Sequence, residues 1–152
     1  GNFQFMPSTI KNYAIDYNKN LNIDLKETED SFASAANYLN KIGWKMNKPC
    51  FYKIKLRENT PKKLLNTSAK MIKNKKKLSV LKKYILNYKM DHLDNNTIAA
   101  IITPDKDIVP SAENLSPAYL VFKNYELILK WNRSLRFGLA VCSLKKEFKD
   151  VL

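Results

Sequence analysis

The first eight residues combine a flexible glycine, an amide side chain and a proline that can begin a helix. Gly1 lets the backbone approach a ligand closely, and Pro7 is a favourable first residue of a helix. The Gln4 amide offers two donors and one acceptor, which suits the hydroxyl and N-acetyl groups of a sugar. Phe5 and Met6 follow it directly. The segment is a candidate binding turn; the alternative is a disordered N-terminus that happens to contain these residues.

Residues 16–27 place oxygen-bearing side chains at the spacing of a calcium-binding EF-hand loop. Positions 1, 3, 5, 7, 9 and 12 of this segment are Asp16, Asn18, Asn20, Asn22, Asp24 and Glu27. In such a loop alternate residues turn oxygens inward, and a final carboxylate closes the site. Position 6 should be glycine but is Leu21, which requires a strained backbone or a reshaped loop. Two interpretations stay open: a weak Ca²⁺ site, or a metal-free loop in which Asp24 and Glu27 form a capping box.

The segment after this loop is predicted to form an amphipathic helix over Thr28–Ile42. Its expected apolar face consists of Phe32, Ala35, Ala36, Leu39 and Ile42. Gly43 is a good residue to end such a helix, because glycine adopts the left-handed conformation without steric cost. A shorter helix is predicted before the loop, over Ser8–Ile15, with Ser8 as its cap.

The last third of the chain is predicted to form two further helices. The segment Asn124–Asn132 ends in Trp131, which offers a flat face for stacking on a sugar ring, and in the amide of Asn132. The alternative is an ordinary helix end with Asn132 as its cap. Ser134 is expected to cap the final helix, whose apolar face would contain Phe137, Ala140, Val141, Leu144 and Phe148.

Three motifs together resemble the lytic murein transglycosylases of the membrane-bound B type. They are G-N-F-Q-F-M-P-S at residues 1–8, A-A-N-Y-L-N-K-I-G-W at 35–44 and N-Y-E-L-I-L-K-W-N at 124–132. That family also carries a calcium-binding loop directly after its Q-F-M-P-S helix. The resemblance implies substrate-groove roles for Gln4, Phe5, Met6, Tyr125, Trp131 and Asn132. It also implies a mainly α (α+β) fold, the C-terminal lobe of a lysozyme-like transglycosylase with a small β insertion.

The resemblance implies a substrate and a reaction as well. The family binds peptidoglycan glycan strands in the periplasm and cleaves them without water to 1,6-anhydromuropeptides, using one glutamate upstream of Q-F-M-P-S. No glutamate of this chain fits that position; they are at residues 27, 29, 58, 113, 126 and 147. We therefore expect no catalytic residue in this chain. We expect an N-terminally truncated protein that is inactive alone, with a missing N-terminal half as a candidate partner.

The net charge is +13, from 27 basic and 14 acidic residues, and it implies affinity for polyanions. Nucleic acid, anionic membranes and the carboxylate-rich bacterial wall all qualify. Lysine far outnumbers arginine, whereas phosphate recognition favours arginine. The most basic run, Lys73–Lys77, lacks interleaved aromatic residues and is interpreted as a solvated turn between two helices, with polyanion binding as the alternative. A small basic nucleic-acid-binding protein remains the alternative function.

Cysteine, histidine and hydropathy give little further guidance. Cys50 and Cys142 match no metal-binding spacing and are interpreted as two unpaired, mostly buried thiols. His92, in a polar connector, is assigned no role. No run reaches the ~18 apolar residues of a membrane span. The chain has no signal segment at its start, so a periplasmic location is expected from the family resemblance alone.

The middle of the chain is predicted to hold a small sheet. Alternating or continuous apolar residues predict strands at Cys50–Leu56, Thr97–Thr103 and Tyr119–Phe122, with a lysine-rich helical stretch over Lys62–Tyr88. The chain is accordingly expected to be a single partial domain with three parts: residues 1–48, 49–122 and 123–152.

Overall fold

The computed structural model describes residues 3–107 and 115–149, without the side chains of residues 106–107 and 145–149. The chain divides into two compact units, Gly1–Asn47 and Lys48–Leu152. The expected second and third parts both lie within the second unit, and the three-part division stays a prediction. None of the helices in the described ranges is both long enough and apolar enough to cross a membrane.

The first unit contains helices α1 (Pro7–Tyr13) and α2 (Thr28–Lys41), close to the predicted segments. Pro7 begins α1 without loss of a hydrogen bond, because the first amides of a helix have no partner within it. The rings of Tyr13 and Tyr38 meet edge to face at a centroid distance of 5.1 Å. The Asn37 amide donates to the Tyr13 carbonyl at 2.8 Å. These contacts fix α1 against α2.

The buried face of α2 differs from the predicted apolar face. It consists of Asp30, Ser31, Ser34, Ala35 and Tyr38. Phe32, predicted to be buried, is 59% exposed. The physical reason is the loop before α2, whose backbone amides need acceptors: the Ser34 hydroxyl accepts the Ile15 N–H at 3.0 Å. Gly43 ends the helix as predicted, with φ +102°.

The second unit is built on a sheet of five short strands. They are β1 (Phe51–Ile54), β2 (Leu65–Asn66), β3 (Lys75–Lys77), β4 (Ile98–Ile102) and β5 (Ala118–Val121). The main order is β1-β5-β4-β2, and β3 also pairs with β4. The β2–β4 pair is parallel and the others are antiparallel. Four residues of β4, Ala99–Ile102, are buried, which fits its continuous apolar sequence.

The sheet carries an apolar cluster in the second unit. Its members come from the strands and from the segments between them: Ile54, Leu56, Leu64, Leu65, Leu78, Leu81, Ile85, Met90, Ala99, Ile101, Ala118, Leu120 and Phe122. Burying each leucine, isoleucine, methionine or phenylalanine side chain of this cluster stabilises the fold by about 1.5–3 kcal/mol relative to exposure. This cluster therefore provides a rigid base for the helices that follow the sheet.

The lysine-rich segment Lys62–Tyr88 is not the predicted helical stretch. It contains β2, β3, the four-residue helix α3 (Leu78–Leu81) and two 3₁₀ turns, Lys62–Leu64 and Lys82–Tyr84. Lys75–Lys77, predicted to lie in a turn between helices, pairs with β4 instead. Polar side chains explain the difference, because asparagine and serine bind nearby backbone groups and compete with helical hydrogen bonds.

Helices α4 (Lys123–Trp131) and α5 (Leu135–Lys149) follow the last strand. The Ser134 hydroxyl accepts the Phe137 N–H at 3.2 Å, so the predicted cap of α5 is confirmed. Cys142 on α5 is joined by a disulfide to Cys50, immediately before β1. The prediction of two unpaired thiols is therefore wrong. The two cysteines are 92 residues apart in sequence, but the fold brings their Cα atoms to 5.9 Å.

Candidate functional site

Alternate side chains of the N-terminal segment point in different directions. The rings of Phe3 and Phe32 meet edge to face at 5.1 Å, and Phe5 meets Tyr38 at 6.1 Å. Gln4 and Met6 are exposed, Met6 to 68%. Gln4 has φ +45°, a left-handed conformation that costs a non-glycine residue free energy. The two anchored phenylalanines therefore hold the Gln4 amide toward solvent in a strained backbone conformation.

Tyr125 has a packing position in α4 instead of the predicted sugar contact. It is fully buried, and its hydroxyl donates to the Leu135 carbonyl at 2.8 Å. Its ring lies against Gly138: a Cβ atom at that glycine would come within 2.8 Å of the ring. Tyr125 therefore packs α4 against α5, and the glycine leaves room for its ring.

The end of α4 presents the other two predicted groove residues. Trp131 is half-buried at the last position of the helix. Asn132 is the C-terminal cap: its backbone N–H donates to the Ile128 carbonyl at 3.1 Å, while its side chain is exposed. Gln4, Phe5 and Met6 lie in the first unit, and this pair lies in the second. The N-terminal residues are therefore positioned by α2, and Trp131 and Asn132 by α4.

The predicted calcium loop winds around its own side-chain oxygens. The Asp16 carboxylate accepts the N–H groups of Asn20 at 3.2 Å and Leu21 at 2.8 Å. Asn18 Oδ1 accepts the Asn20 N–H at 3.1 Å. Leu21 has φ +68° and is 97% exposed. The sequence required either a strained backbone or a reshaped loop at Leu21, and the structure shows the strained backbone.

The closing carboxylate of the loop reaches back to its third position. Glu27 Oε2 accepts a hydrogen bond from the Asn18 amide at 3.0 Å. Asp24 Oδ1 accepts the Lys26 N–H at 2.9 Å, and neither Asp24 nor Glu27 forms the capping bonds of a capping box on α2. Within the described ranges no three His, Cys, Asp or Glu side chains converge on one point. The six oxygen-bearing side chains of this loop are three carboxylates and three amides.

Asp30 organises the loop and was not identified from the sequence. It is completely buried in the first turn of α2. One carboxylate oxygen accepts the Tyr17 N–H at 2.9 Å, and the other accepts the Asp24 N–H at 3.0 Å. These backbone hydrogen bonds, with Tyr17 the largest contributor, hold the pKa of Asp30 below its ordinary value. The signal available in the sequence was only an acidic residue in the first turn of a predicted helix.

The lowered pKa of Asp30 predicts acid sensitivity of the first unit. A carboxyl group with a lower pKa in the folded state stabilises the fold above its unfolded pKa of ~3.9, and this contribution is lost as the pH falls through the folded pKa. Denaturant unfolding between pH 6 and 2 should show a steeper loss of stability below about pH 4 in the wild type than in Asp30→Asn. Glu29→Gln, at an exposed acid in the same turn, is the control. Equal slopes in wild type and Asp30→Asn would contradict the assignment.

The five-stranded sheet and its helices, with an exposed amide presented in a strained turn, define an α+β domain of the lysozyme-like class. The chain belongs to the family described as transglycosylase SLT domain, whose model matches residues 1–146. The predicted resemblance and the predicted fold class are thereby confirmed. No curated protein sequence is significantly similar to the chain.

Solved structures of bacterial lytic transglycosylases are similar to this chain. SltB3 from Pseudomonas aeruginosa, in complex with NAG-anhNAM-pentapeptide, is 26% identical with a TM-score of 0.76, over 98% of this chain and 38% of SltB3. SltB1 from the same organism is 18% identical with a TM-score of 0.74, over 97% and 46% of the two chains. Escherichia coli Slt35, in complex with bulgecin A, is 23% identical with a TM-score of 0.69, over 94% and 41%. The chain thus spans less than half the length of these proteins.

Proposed function

We propose that the chain binds peptidoglycan glycan strands as part of a lytic transglycosylase. The observation that carries this proposal is the exposed, conformationally strained Gln4, held outward by Phe3 and Phe5. Strain of this kind persists where the surrounding structure enforces it, and it is concentrated at binding sites. Family membership and the complexes of SltB3 with NAG-NAM-pentapeptide and NAG-anhNAM-pentapeptide support a peptidoglycan ligand. They do not favour nucleic acid.

The proposed contacts use ordinary sugar-binding chemistry. The amides of Gln4 and Asn132 can donate to and accept from hydroxyl and N-acetyl groups. Met6 offers an adaptable apolar surface, and the indole of Trp131 can stack on a pyranose face. In the family reaction one glutamate protonates the glycosidic oxygen and then deprotonates the muramoyl 6-hydroxyl. The 6-oxygen closes the 1,6-anhydro ring, so no water is consumed.

The first test concerns glycan binding through Trp131. Replacing Trp131 by Ala should weaken binding to glycan strands freed of peptide by roughly 1–3 kcal/mol, because stacking and apolar burial are lost. Isothermal titration with such oligosaccharides measures the change. Trp131→Phe keeps an aromatic face and is the matched control, expected to retain most of the affinity. Three results together would point to the nucleic-acid alternative. Binding would be unchanged in Trp131→Ala, would weaken steeply as the salt concentration rises, and would be equally tight for DNA.

The isolated 152-residue chain is not expected to release 1,6-anhydromuropeptides from murein. Among its 152 residues no glutamate matches the family's catalytic position, and general acid–base catalysis contributes roughly 10²–10⁴-fold. Chromatography of digests would detect the anhydro products. Their appearance above a protein-free control would show that another acid acts, and Glu126, on the helix that ends at Trp131, would be the first to replace by Gln.

We propose in addition that residues 16–27 hold calcium weakly. The backbone already turns as an EF-hand loop requires, since Asp16 accepts the amides of the fifth and sixth positions. Side-chain and backbone oxygens would come from five positions, with Asp24 acting directly or through water: Asp16, Asn18, Asn20, Asn22 and Glu27. Few carboxylates and a leucine at the glycine position limit the affinity. Slt35, which is 23% identical, has a structure in complex with calcium.

A few millimolar calcium should therefore raise thermal stability only slightly. At about 3 mM calcium, a dissociation constant of ~10⁻⁴–10⁻³ M corresponds to ~0.8–2 kcal/mol of stabilisation. Differential scanning fluorimetry should show a rise in melting temperature that is absent in Glu27→Gln and larger in Leu21→Gly. Leu86→Gly, at an exposed turn leucine without positive φ, is the control and should show the wild-type shift. No shift in either wild type or Leu21→Gly would mean that the loop is metal-free.

We infer a location in the periplasm or cell wall, where the proposed substrate is found. The Cys50–Cys142 disulfide supports this location, because disulfides form and persist in oxidising compartments. Both the proposed ligand and the cross-link are thus consistent with a cell-envelope protein.

A further inference from the structure

A basic cleft of about 540 Å³ lies in the second unit, beside α4. One wall is the segment Ala69–Lys75 and the other is the C-terminal half of α4 with Arg133. Five cationic residues line it, against one glutamate: Lys70, Lys73, Lys75, Lys130, Arg133 and Glu126. The sequence had led to the expectation that the lysines of this region were merely solvated. The fold instead gathers lysines from distant parts of the chain into one concave surface.

The charges in the cleft are unevenly paired. Lys75 Nζ contacts Glu126 Oε2 at 2.9 Å, which neutralises both groups. Across the described ranges, no carboxylate lies within ion-pair distance of the cations of Lys70, Lys73, Lys130 or Arg133. Four positive charges therefore share one concave surface, where fields of like sign add and attract anions.

The wall that carries Lys73 and Lys75 is rigid. Asn66 is buried at the end of β2, and its Oδ1 atom accepts the N–H groups of Lys73 and Asn74, each at 3.0 Å. Its amide nitrogen donates to the Ile101 carbonyl of β4 at 3.0 Å. The loop is thus tied to the sheet by one side chain. A site formed before its ligand arrives loses less conformational entropy on binding.

The cleft also has apolar surface, which narrows the class of anion. Buried Ile72 and Leu129 and the exposed side chain of Met71 lie among the charges. A peptide with free carboxylates offers both apolar side chains and negative groups, whereas a phosphodiester chain offers mainly charge. Glu126, Leu129 and Lys130 are spaced as one face of α4, and Arg133 follows two residues after the helix ends at Trp131. A peptide carried by a sugar near Trp131 would be close to this face.

We propose that this cleft binds the free carboxylates of the stem peptides that project from peptidoglycan strands. The inference rests on the proposed function and adds a specificity: peptide-bearing strands are preferred to bare glycan. Lys73, Lys130 and Arg133 provide the positive charge, and the exposed Met71 contacts the apolar side chains of the peptide.

The test uses two probes so that the two proposals can fail separately. One probe is a free stem pentapeptide without sugar, and the other is a glycan oligosaccharide without peptide. Titrations compare the wild type with Lys73→Gln/Lys130→Gln. The control is Lys62→Gln/Lys63→Gln, which removes the same charge at exposed positions outside the cleft. We expect the cleft variant to bind the pentapeptide about threefold to thirtyfold more weakly than the control does, and to bind the bare oligosaccharide as the wild type does.

Competition assays identify the source of the anion. A pentapeptide with amidated carboxyl groups should bind as weakly to the wild type as the free peptide binds to the cleft variant. Equal pentapeptide affinity in the cleft and control variants would overturn the inference, as would equal competition by the amidated peptide. Stronger competition by polyglycerol phosphate than by the peptide would also overturn it, because the cleft would then prefer phosphate. Loss of oligosaccharide binding in all proteins, with pentapeptide binding intact, would count against the glycan proposal alone.

Discussion

Loss of the Cys50–Cys142 disulfide should lower the free energy of unfolding by about 2–5 kcal/mol. The cross-link spans 92 residues of sequence, so it restricts a large part of the unfolded chain. It also ties the residue before β1 to α5, within the second unit. Guanidinium unfolding followed by tryptophan fluorescence, with and without a reductant, measures the difference.

The variant Cys50→Ala/Cys142→Ala provides the control for the reductant. Its stability should match that of the reduced wild type within about 1 kcal/mol and should not respond to reduction, because it has no bond to break. Titration of free thiols in the denatured, unreduced wild type should find none. The cysteines would be unpaired, as the sequence had suggested, if two thiols were titrated. The same would follow if the reductant left the free energy of unfolding of the wild type unchanged.

Replacing Asn66 by Ala should destabilise the second unit by about 2–4 kcal/mol. The substitution removes both acceptor contacts to the backbone amides of Lys73 and Asn74 and the donor to the Ile101 carbonyl. Because Asn66 is only 5% exposed, water cannot readily replace these bonds. Chemical unfolding measures the loss.

The neighbouring residue Asn74 gives a matched comparison. Its amide makes one hydrogen bond, to the Leu65 carbonyl at 3.2 Å, so Asn74→Ala should cost only about 0.5–1.5 kcal/mol. If Asn66→Ala were no more damaging than Asn74→Ala, the loop would not depend on its central asparagine. In that case the rigidity assigned to the wall of the basic cleft would be wrong.

Local sequence signals predicted much of the fold. Pro7, Gly43 and Ser134 mark helix ends because each has a conformational or hydrogen-bonding property that acts within a few residues. The predicted strands at Cys50–Leu56, Thr97–Thr103 and Tyr119–Phe122 agree with β1, β4 and β5 to within two residues. The strain expected at Leu21 also followed from its position in a twelve-residue pattern. The motif around Gln4 indicates the family through residue types and spacing alone.

Long-range contacts decided what the sequence could not. Whether Cys50 pairs with Cys142 depends on the path of the 92-residue span between them, which no local spacing encodes. The Asp30 carboxylate is buried because it accepts backbone N–H groups of the loop before α2, so Asp30 lies on the buried side of the helix and Phe32 on the exposed side.

The sequence by itself determined the family and the positions of most helices and strands, through short-range patterns of polarity, proline, glycine and capping residues. Only the tertiary structure decided that Tyr125 packs inside the second unit, and that Lys62–Tyr88 forms strands and turns. It also decided that lysines far apart in sequence line one cleft. The physical reason is that burial and charge clustering depend on which segments meet in space, and in this chain the meeting segments are separated by tens of residues.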